Sequence, residues 1–264
     1  MTSEIEYLIE RIHSRFIWDE EPVFCFTSDI DWASEHVLTE YFDTLNRLDL
    51  KPTLFVTHHS EEINRNYLGN RIERGLHPNF MNGSSHGSNF KEIAETCLAI
   101  APEAIGFRSH RAFDLTDITH LMHNEYNFKF VSHQITIFQP LVKPILHESG
   151  LINFPVFFED GTHLYNRLNL DFKKYESLFF TPGIKVISFH PMHFVFNSPA
   201  LSFMRNIKDS LTRDELNNIS PDYITKYRNK GFGIRDTVMN LIEFVKQNNF
   251  TIISMNELYK NLIY

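Results

Sequence analysis

Short apolar runs alternate with longer helical patterns along most of this 264-residue chain. The runs are rich in β-branched and aromatic residues, as expected of strands, and the stretches between them carry apolar residues at three-and-four spacing, as expected of helices. Because such alternation produces parallel βα units, it predicts an α/β fold, built as a barrel or as a large open sheet. The predicted strands are 23–26, 53–56, 105–107, 128–131, 152–158, 186–189 and 250–253, and the predicted helices are 35–48, 61–74, 90–101, 114–124 and 235–248.

The chain length is within the range of single-domain barrels, and no repeat, low-complexity tract or linker marks a boundary. We therefore predict one domain over residues 1–264. Residues 196–232 fit the alternation poorly, because they are polar and contain Pro199 and Pro221. We interpret this segment as a long excursion on the rim of the barrel, with a lid as one interpretation.

Composition argues against several functional classes. The 25 Lys and Arg residues against 33 Asp and Glu give a net charge of -8, with no basic stripe to neutralise nucleic-acid phosphates. Cys25 and Cys97 provide neither a CxxC pair nor a disulfide framework, and each is predicted to be a buried thiol. The first twenty residues are charged throughout, and no later stretch approaches about 18 uninterrupted apolar residues. We expect a cytoplasmic protein without membrane insertion or nucleic-acid binding.

Titratable residues collect where the predicted strands end. The carboxyl ends of parallel strands meet on one face of a barrel, which is where barrel enzymes hold their catalytic groups. A polar residue is also common wherever a strand meets a loop, but repeated coincidences rich in His and Asp favour a functional site. The residues are Asp29, Asp31, His58, His59, His77, Arg108, His110, His133, Glu159, Asp160 and His190.

The sequence FTSDIDW places Asp29 and Asp31 at the end of the first predicted strand. With a strand period of two, both carboxylates point to one side while Ile30 points to the other. Two carboxylates at such a short distance repel each other, and a cation bound to one of them allows the other to stay ionised as a base. A solvated turn or a helix N-cap is the alternative, although Ser34 suits a cap better than either Asp.

Two histidines, His77 and His86, flank a polar loop in the sequence GLHPNFMNGSSHG. With an Asp they would form a His₂Asp site of the kind that binds Zn²⁺ or another divalent ion and leaves positions open for water and substrate. The spacing is not diagnostic by itself, because loop histidines are often merely exposed.

The sequence VISFHPMHF presents His190 at the end of a strand, and Pro191 forces an extended exit from it. The side chain is therefore held rigidly. An imidazole on the far side of a metal could protonate a leaving amine, which makes His190 a candidate general acid.

Several motifs, in order, resemble those of the polysaccharide deacetylase superfamily, carbohydrate esterase family 4. They are FTSDID, TLFV, GLHP with the downstream His86, GFRSH and VISFHP, and they span most of the chain. The resemblance implies a distorted (β/α)₇-type barrel that removes acyl groups from amino sugars with the help of a divalent metal.

The resemblance also implies roles for individual residues. Asp29 looks like the catalytic base, Arg108 like the arginine that orients it, and His190 like the general acid. Asp31, His77 and His86 look like the metal ligands. The sequence departs from the family pattern in three places. The family's two metal-binding histidines are usually separated by three residues, but position 81, where the second would fall, is Met here. The proline expected after the arginine is replaced by SHR, and the acidic motif that tunes the acid histidine is represented loosely by FFEDGTH.

These departures leave alternatives open at three positions. Arg111 is an alternative to Arg108, and His110 either contacts substrate or replaces a metal ligand. Asp160 is the candidate for the acidic motif. We expect His110, Asp160 and Arg111 to be substrate-binding residues.

The resulting hypothesis is a metal-dependent hydrolase that removes an acetyl or formyl group from an amino sugar in surface-polysaccharide or O-antigen biosynthesis. The metal expected is Zn²⁺, with Co²⁺, Fe²⁺ and Ni²⁺ as alternatives, and the substrate a small molecule such as a nucleotide sugar or a lipid-linked glycan. Aromatic residues in 154–158 and 194–196 are predicted to pack in the core rather than to stack on sugars. Hydrolysis of another non-peptide C–N bond, in a linear amide or cyclic imide, and an inactive glycan-binding protein remain alternatives, and a homo-oligomer is left open.

Overall fold

The protein is an α/β structure whose strands form one continuous sheet. The computed structural model describes residues 3–31 and 33–264. The strands are β1 (Pro22–Asp29), β2 (Thr53–Val56), β3 (Glu73–Leu76), β4 (Gly106–Phe107), β5 (Phe130–Val131), β6 (Ile145–Leu146), β7 (Ile152–Asn153), β8 (Val156–Glu159), β9 (Gly183–Ser188) and β10 (Thr251–Ile252).

Most of the strands are separated by helices, as the sequence periodicity predicts. Among the described residues, none of the helices combines the length and the apolar character needed to cross a bilayer. The helices are α1 (Glu4–Ile12), α2 (Glu35–Arg47), α3 (Glu61–Leu68), α4 (Phe90–Ile100), α5 (Thr116–Asn124), α6 (Asp160–Tyr165), α7 (Glu176–Phe179), α8 (Pro191–Val195), α9 (Leu201–Asp209), α10 (Arg213–Asn217), α11 (Pro221–Tyr227), α12 (Ile234–Gln247) and α13 (Met255–Ile263).

The sheet curls into a distorted barrel. Its main path runs β7-β5-β4-β3-β2-β1-β9-β8 with every pairing parallel, while β6 adds to β7 as an antiparallel edge and β10 pairs with the first half of β1. β7 and β8 are consecutive in the chain, yet β7 pairs with β5 and β8 pairs with β9. Together they act as one bent strand that spans the two ends of the path, so the ring has seven parallel positions.

Pro155 accounts for the bend, because it lies between β7 and β8 and has no N–H to donate to a sheet neighbour. The backbone on either side changes partner: Phe154 N–H donates to Val131, and Val156 N–H donates to Gln134. The predicted α/β class and distorted seven-stranded barrel are confirmed, and the run predicted as one strand over 152–158 is this bent closing strand.

Two apolar clusters stabilise the barrel. Along β1, Phe24 and Phe26 face one way and pack with residues of α2 and α12, whereas Val23 and Cys25 face the other way. The second face packs against α1 and α13, so those two terminal helices cover the side of the sheet that the βα helices leave open. Cys25 and Cys97 are both buried free thiols, as predicted.

One predicted helix is much shorter than expected. The pattern over 61–74 suggested a helix throughout, but α3 ends at Leu68 and the chain then enters β3. Asn70 takes a positive φ of 56°, which ends the helix in a tight turn. The first residues of β3 were assigned to this helix because the sequence ERGL is polar: the Arg74 guanidinium lies 2.6 Å from the Glu103 carboxylate instead of in a wholly apolar layer.

The segment 196–232 forms three short helices, α9, α10 and α11, after β9 and α8. Lys208 on α9 lines the cavity at the carboxyl ends of the strands. Lys208, Leu211 and Arg213 line a second cavity beside it. The segment therefore borders the candidate site, and its interpretation as a lid stays a prediction.

Candidate active site

The carboxyl ends of β1, β3, β4, β8 and β9 surround one cavity of about 460 Å³. This is the face on which a parallel barrel collects the side chains that leave its strands. Of the candidate site residues, all but His86 and Asp160 line it. The titratable ones on its wall are Asp29, Asp31, His77, Arg108, His110, Arg111, His133, Glu159, His190 and Lys208.

Three side chains converge on one point of this cavity. The Asp31 Oδ1 atom lies 3.3 Å from His77 Nε2 and 3.1 Å from His110 Nδ1. The two histidine nitrogens are 3.2 Å apart. Asp31, His77 and His110 thus form a nearly equilateral triangle of possible ligand atoms, which we call the ligand cluster.

The ligand cluster fits a divalent cation. An ion bound at about 2.1 Å from three such atoms separates them by roughly 3.0–3.4 Å, which matches all three edges of the triangle. Asp31 Oδ1 is buried, and no N–H or O–H of the described residues is aligned to donate to it. His77 Nδ1 contacts the Arg108 carbonyl at 2.7 Å, so it carries the proton and leaves the Nε2 lone pair toward the cluster.

The electrostatics of Asp31 favour its ionised form. Burial alone would raise the pKa of this carboxyl, but the nearby nitrogens of His110 and His77 and the charge of His190 hold that pKa well below its usual range. Asp31 also takes a positive φ of 43°, just past the end of β1. A left-handed backbone turn, rather than the strand alternation predicted for Asp29 and Asp31, therefore aims its carboxylate at the two histidines.

The structure corrects the prediction that His86 joins this cluster. His86 Nε2 lies 3.0 Å from the Thr57 carbonyl, and the Asn79 N–H donates to His86 Nδ1 at 3.2 Å. The proton is therefore on Nε2 and the lone pair on Nδ1 is already engaged, so neither ring nitrogen offers a pair to a cation. His110, from the turn after β4, contributes the second imidazole instead.

Asp29 is held by Arg108 beneath the ligand cluster. The Arg108 Nη1 atom donates to Asp29 Oδ1 at 2.9 Å, to Thr27 Oγ1 at 3.0 Å and to Ser188 Oγ at 2.8 Å. Arg108 Nη2 donates to Ser132 Oγ at 3.0 Å, and Nε donates to the Ser132 carbonyl. Because these bonds fix the guanidinium from three strands, Asp29 has a single orientation, with Oδ2 4.0 Å from His77 Nδ1.

His190 approaches the cluster from another side. Its Nε2 atom is 3.8 Å from Asp31 Oδ2, and its Nδ1 atom is 2.6 Å from Asp160 Oδ1. The His190 backbone N–H donates to the other Asp160 oxygen at 2.8 Å. Asp160 is fully buried, so this paired contact locks both the ring and the backbone of His190. Asp160 lies behind the histidine and does not line the cavity, so it contacts His190 and not the space open to a substrate.

Two carboxyls next to His190 differ in their protonation. Burial opposes charge on His190, but the negative Asp160 outweighs it and raises the pKa of the imidazole well above its usual value. The same contact lowers the pKa of Asp160 against the effect of its burial. For Glu159, burial and the neighbouring Asp160 charge raise the pKa to about 7. The wall of the cavity at His190 therefore presents a protonated imidazole, with the ionised Asp160 carboxylate behind it.

The turn that carries His110 is strained. Arg111 and Ala112 both take left-handed backbone angles, with φ of 57° and 53°. Beyond them, the Asp114 carboxylate lies 3.1 Å from His133 Nε2 at the end of β5, which ties the turn to the barrel. Arg111 lines the cavity, and its role as a substrate-binding residue stays a prediction. Of the two arginines, Arg108 is the one that contacts Asp29 among the described residues.

Sequence reasoning missed several residues of the site. Thr27, Ser132 and Ser188 hold Arg108, but serines and threonines in strands give no signal of their own. Tyr165, at the end of α6, is 73% exposed on the cavity rim. The aromatic residues predicted to pack in the core do so, since Phe154, Phe157, Phe158, Phe194 and Phe196 are buried.

The barrel is the fold of a polysaccharide deacetylase. The chain belongs to the WbmS-like polysaccharide deacetylase family, whose model matches residues 26–208. No curated protein matched the chain.

A solved structure agrees with this family assignment. A protein of Bordetella bronchiseptica, named as a polysaccharide deacetylase of O-antigen biosynthesis, is 26% identical, with 84% of this chain and 89% of that chain covered and a TM-score of 0.72. Two weaker similarities carry no argument. They are a cobalt-bound family 4 acetyl xylan esterase from Clostridium thermocellum (13% identity, 90% of each chain, TM-score 0.44) and a family pseudoenzyme from Bacillus anthracis (10% identity, 91% and 66%, TM-score 0.45).

Proposed function

We propose that the protein is a metal-dependent hydrolase that removes an N-acetyl or N-formyl group from an amino sugar during the biosynthesis of a surface polysaccharide. The cation would be held by Asp31, His77 and His110, and we propose Zn²⁺ because a set of two imidazoles and one carboxylate suits that ion. The family assignment supports the deacetylase class. The name of the Bordetella bronchiseptica protein supports O-antigen biosynthesis as the setting.

One observation carries the proposal: an oriented carboxylate and a protonated imidazole both border the ligand cluster. Asp29 borders it beside His77, with 4.0 Å between Asp29 Oδ2 and His77 Nδ1. His190 borders it beside the second oxygen of Asp31, at 3.8 Å. Amide hydrolysis needs a base for water and an acid for the leaving nitrogen, and this cavity has one of each.

The cation supplies the polarisation of a water molecule and of the acyl carbonyl. Asp29 removes a proton from the attacking water. Arg108 orients the base, because its Nη1 donates to Asp29 Oδ1 at 2.9 Å.

His190 donates its Nε2 proton to the amine nitrogen as the carbon–nitrogen bond breaks. The water oxygen bonds to the acyl carbon, and the products are a free amine and acetate or formate. Asp160 supports this step, since it fixes the proton on Nδ1 at 2.6 Å and stabilises the imidazolium before transfer.

The cavity also suits a sugar. Tyr165 on the rim exposes an aromatic face of the kind that packs against a sugar ring. Ser109 and Thr162 add hydroxyl groups to the wall. A volume of about 460 Å³ accommodates one sugar unit with its acylamino group.

The first experiment measures metal content and acyl release together. Purified parent protein is expected to hold about one divalent ion per chain, and Asp31→Ala and His77→Ala are expected to lose it. Zinc-loaded parent protein is then offered N-acetyl and N-formyl amino sugars, free, nucleotide-linked and lipid-linked, and acetate or formate is quantified. A linear amide without a sugar and a cyclic imide serve as comparison substrates.

The outcomes separate the proposal from its rivals. Acyl release from an amino sugar by the loaded parent, lost in Asp31→Ala, supports the deacetylase. Hydrolysis of the imide or linear amide alone would move the protein to another class of C–N hydrolase. A parent that takes up no metal even after reconstitution would overturn the metal-dependent mechanism.

A further inference from the structure

A second cavity of about 450 Å³ adjoins the first at the ligand cluster. Asp31, His110 and Lys208 line both cavities, so the two are halves of one cleft. We call the second half the α9–α10 cleft. Its remaining lining residues come from the loop after β3 and from the segment around α10: Asn79, Gly83, Ser85, Leu211, Arg213, Leu216 and Asn217.

The charged residues of the α9–α10 cleft are mainly basic. Lys208 and Arg213 line it, and the single acidic residue on its wall is Asp31, which belongs to the ligand cluster. No described carboxylate forms an ion pair with Lys208 or Arg213, so both side chains are available to an anion in the cleft. In a chain with a net charge of -8, two unpaired cations beside the reaction centre are a local excess of positive charge.

The positive charge of Lys208 lies close enough to influence a buried histidine beside the site. His193, one turn along from His190, has its pKa lowered to about 4, mainly by burial and with a contribution from Lys208. On the other side of the cluster, Arg111 lines the first cavity and also lacks a described ion-pair partner. A cationic side chain therefore lies on each side of the ligand cluster, Arg111 in the first cavity and Arg213 in the second.

We propose that the substrate carries an anionic group next to its acylated amino sugar, and that Lys208 and Arg213 bind this group in the α9–α10 cleft. This inference rests on the proposed deacetylase function. The anion is a carboxylate, as in an acidic sugar, or a phosphate, as in a sugar nucleotide or a lipid-linked sugar. Both are recognised by charge-assisted hydrogen bonds from Lys and Arg.

The uncharged wall of the cleft agrees with a glycan or ribose neighbour. Asn79, Ser85 and Asn217 offer amide and hydroxyl groups for sugar hydroxyls. At Gly83, with φ of 78°, a Cβ atom would meet nothing within 4 Å, so the loop leaves open space there. With its volume of about 450 Å³, the cleft has room for a substituent that extends beyond the reacting sugar.

Calorimetric titration of the zinc-loaded protein tests the inference. The probes are UDP-N-acetylglucosamine, the methyl glycoside of N-acetylglucosaminuronic acid, and the neutral methyl glycoside of N-acetylglucosamine. The variants are Lys208→Gln and Arg213→Gln, and Arg205→Gln is the matched control, since Arg205 is an exposed cation on α9 outside both cavities. Acetate release from each probe is recorded in parallel.

At least one anionic probe is expected to bind about tenfold more tightly than the neutral glycoside, as one charge-assisted hydrogen bond provides. Lys208→Gln and Arg213→Gln should each weaken that probe by about five- to tenfold, weaken the neutral glycoside much less, and reduce the salt dependence of binding. Arg205→Gln should change none of these values. Preference for the UDP sugar alone identifies phosphate, and preference for the uronate alone identifies carboxylate.

Equal binding of all three probes, no binding of either anion, or insensitivity to both substitutions would overturn the inference. If acetate is then still released from the neutral glycoside, the deacetylase function stands without it. If the anionic preference and its loss in Lys208→Gln are observed while no probe releases acetate, the anion site stands and the proposed function fails.

Discussion

His110 Nδ1 and Asp31 Oδ1 lie 3.1 Å apart, and this contact brings a residue of the β4 turn to the end of β1. His77 completes the triangle from β3. Because His86 uses both ring nitrogens within its own loop and with the Thr57 carbonyl, the second imidazole of the ligand cluster comes from a different loop than the sequence motif suggests.

The ligand cluster predicts opposite results for two histidines. His110→Ala is expected to lower zinc affinity by about 10²-fold or more, since it removes one of three ligands. His86→Gln is expected to keep the metal, because glutamine can still offer an amide to the Thr57 carbonyl. Zinc binding is measured by competition with a chromophoric chelator. Retention in His110→Ala with loss in His86→Gln would return the ligand role to His86.

Asp29 is expected to act on water and not on the metal. Asp29→Asn preserves the shape of the side chain and an oxygen for Arg108, but it cannot accept a proton. We expect kcat to fall by about 10²–10⁴-fold with zinc content unchanged. Metal analysis of the same preparation used for kinetics checks both points. Loss of zinc from Asp29→Asn would mean that Asp29 is a ligand.

Asp160 is expected to support the acid without touching substrate. It holds the Nδ1 proton and the backbone N–H of His190 at 2.6 and 2.8 Å. Asp160→Asn should lower kcat by about 10²-fold or more while KM stays nearly constant, because the contact acts on the proton donor alone. Glu159→Gln is the matched control, since it leaves the Asp160–His190 contact intact. An increase in KM with kcat unchanged would instead make Asp160 a substrate-binding residue.

The fold was predictable from sequence wherever local pattern and burial agree. Strands such as β2 and helices such as α2 are found within a residue of their predicted bounds, because each has one face on the apolar clusters. The start of β3 was misassigned to a helix because its polar residues are satisfied by distant partners. The Glu73 carboxylate accepts the Asn256 N–H, and Arg74 pairs with Glu103. Such long-range compensation leaves no periodicity in the sequence.

The site was predictable in its location and less so in its connections. Strand ends must meet on one face of a parallel barrel, which is why Asp29, His77, Arg108 and His190 are found around one cavity. The exchange of His86 for His110 depends on left-handed turns at Asp31 and Arg111. These conformations are rare for non-glycine residues, and the surrounding structure imposes them, so local sequence gives no sign of them.

Lys185 predicts a dependence of stability on pH that is independent of the active site. Its side chain is fully buried on β9, with the ammonium 2.8 Å from Thr181 Oγ1 and 4.0 Å from the centre of the Phe157 ring. Burial lowers the pKa of this lysine from 10.5 to about 8. Between these two values the unfolded chain binds more protons at this group than the folded chain, so its contribution to the free energy of unfolding rises with pH.

Lys185→Met removes this titration and keeps a side chain of similar length. At pH 7 the free energy of unfolding of the variant is expected to exceed that of the parent by about 1–2 kcal/mol. This gain is smaller than the full pKa shift implies, because the substitution also removes the contact of the ammonium with Thr181. The difference should shrink as the pH rises from 8 to 10.5 and disappear above that range. Urea unfolding at several pH values measures it, with Lys174→Met, an exposed lysine outside the core, as the control. A variant less stable than the parent at pH 7, or a difference that grows with pH, would mean that the contacts with Thr181 and Phe157 outweigh the cost of burying the charge.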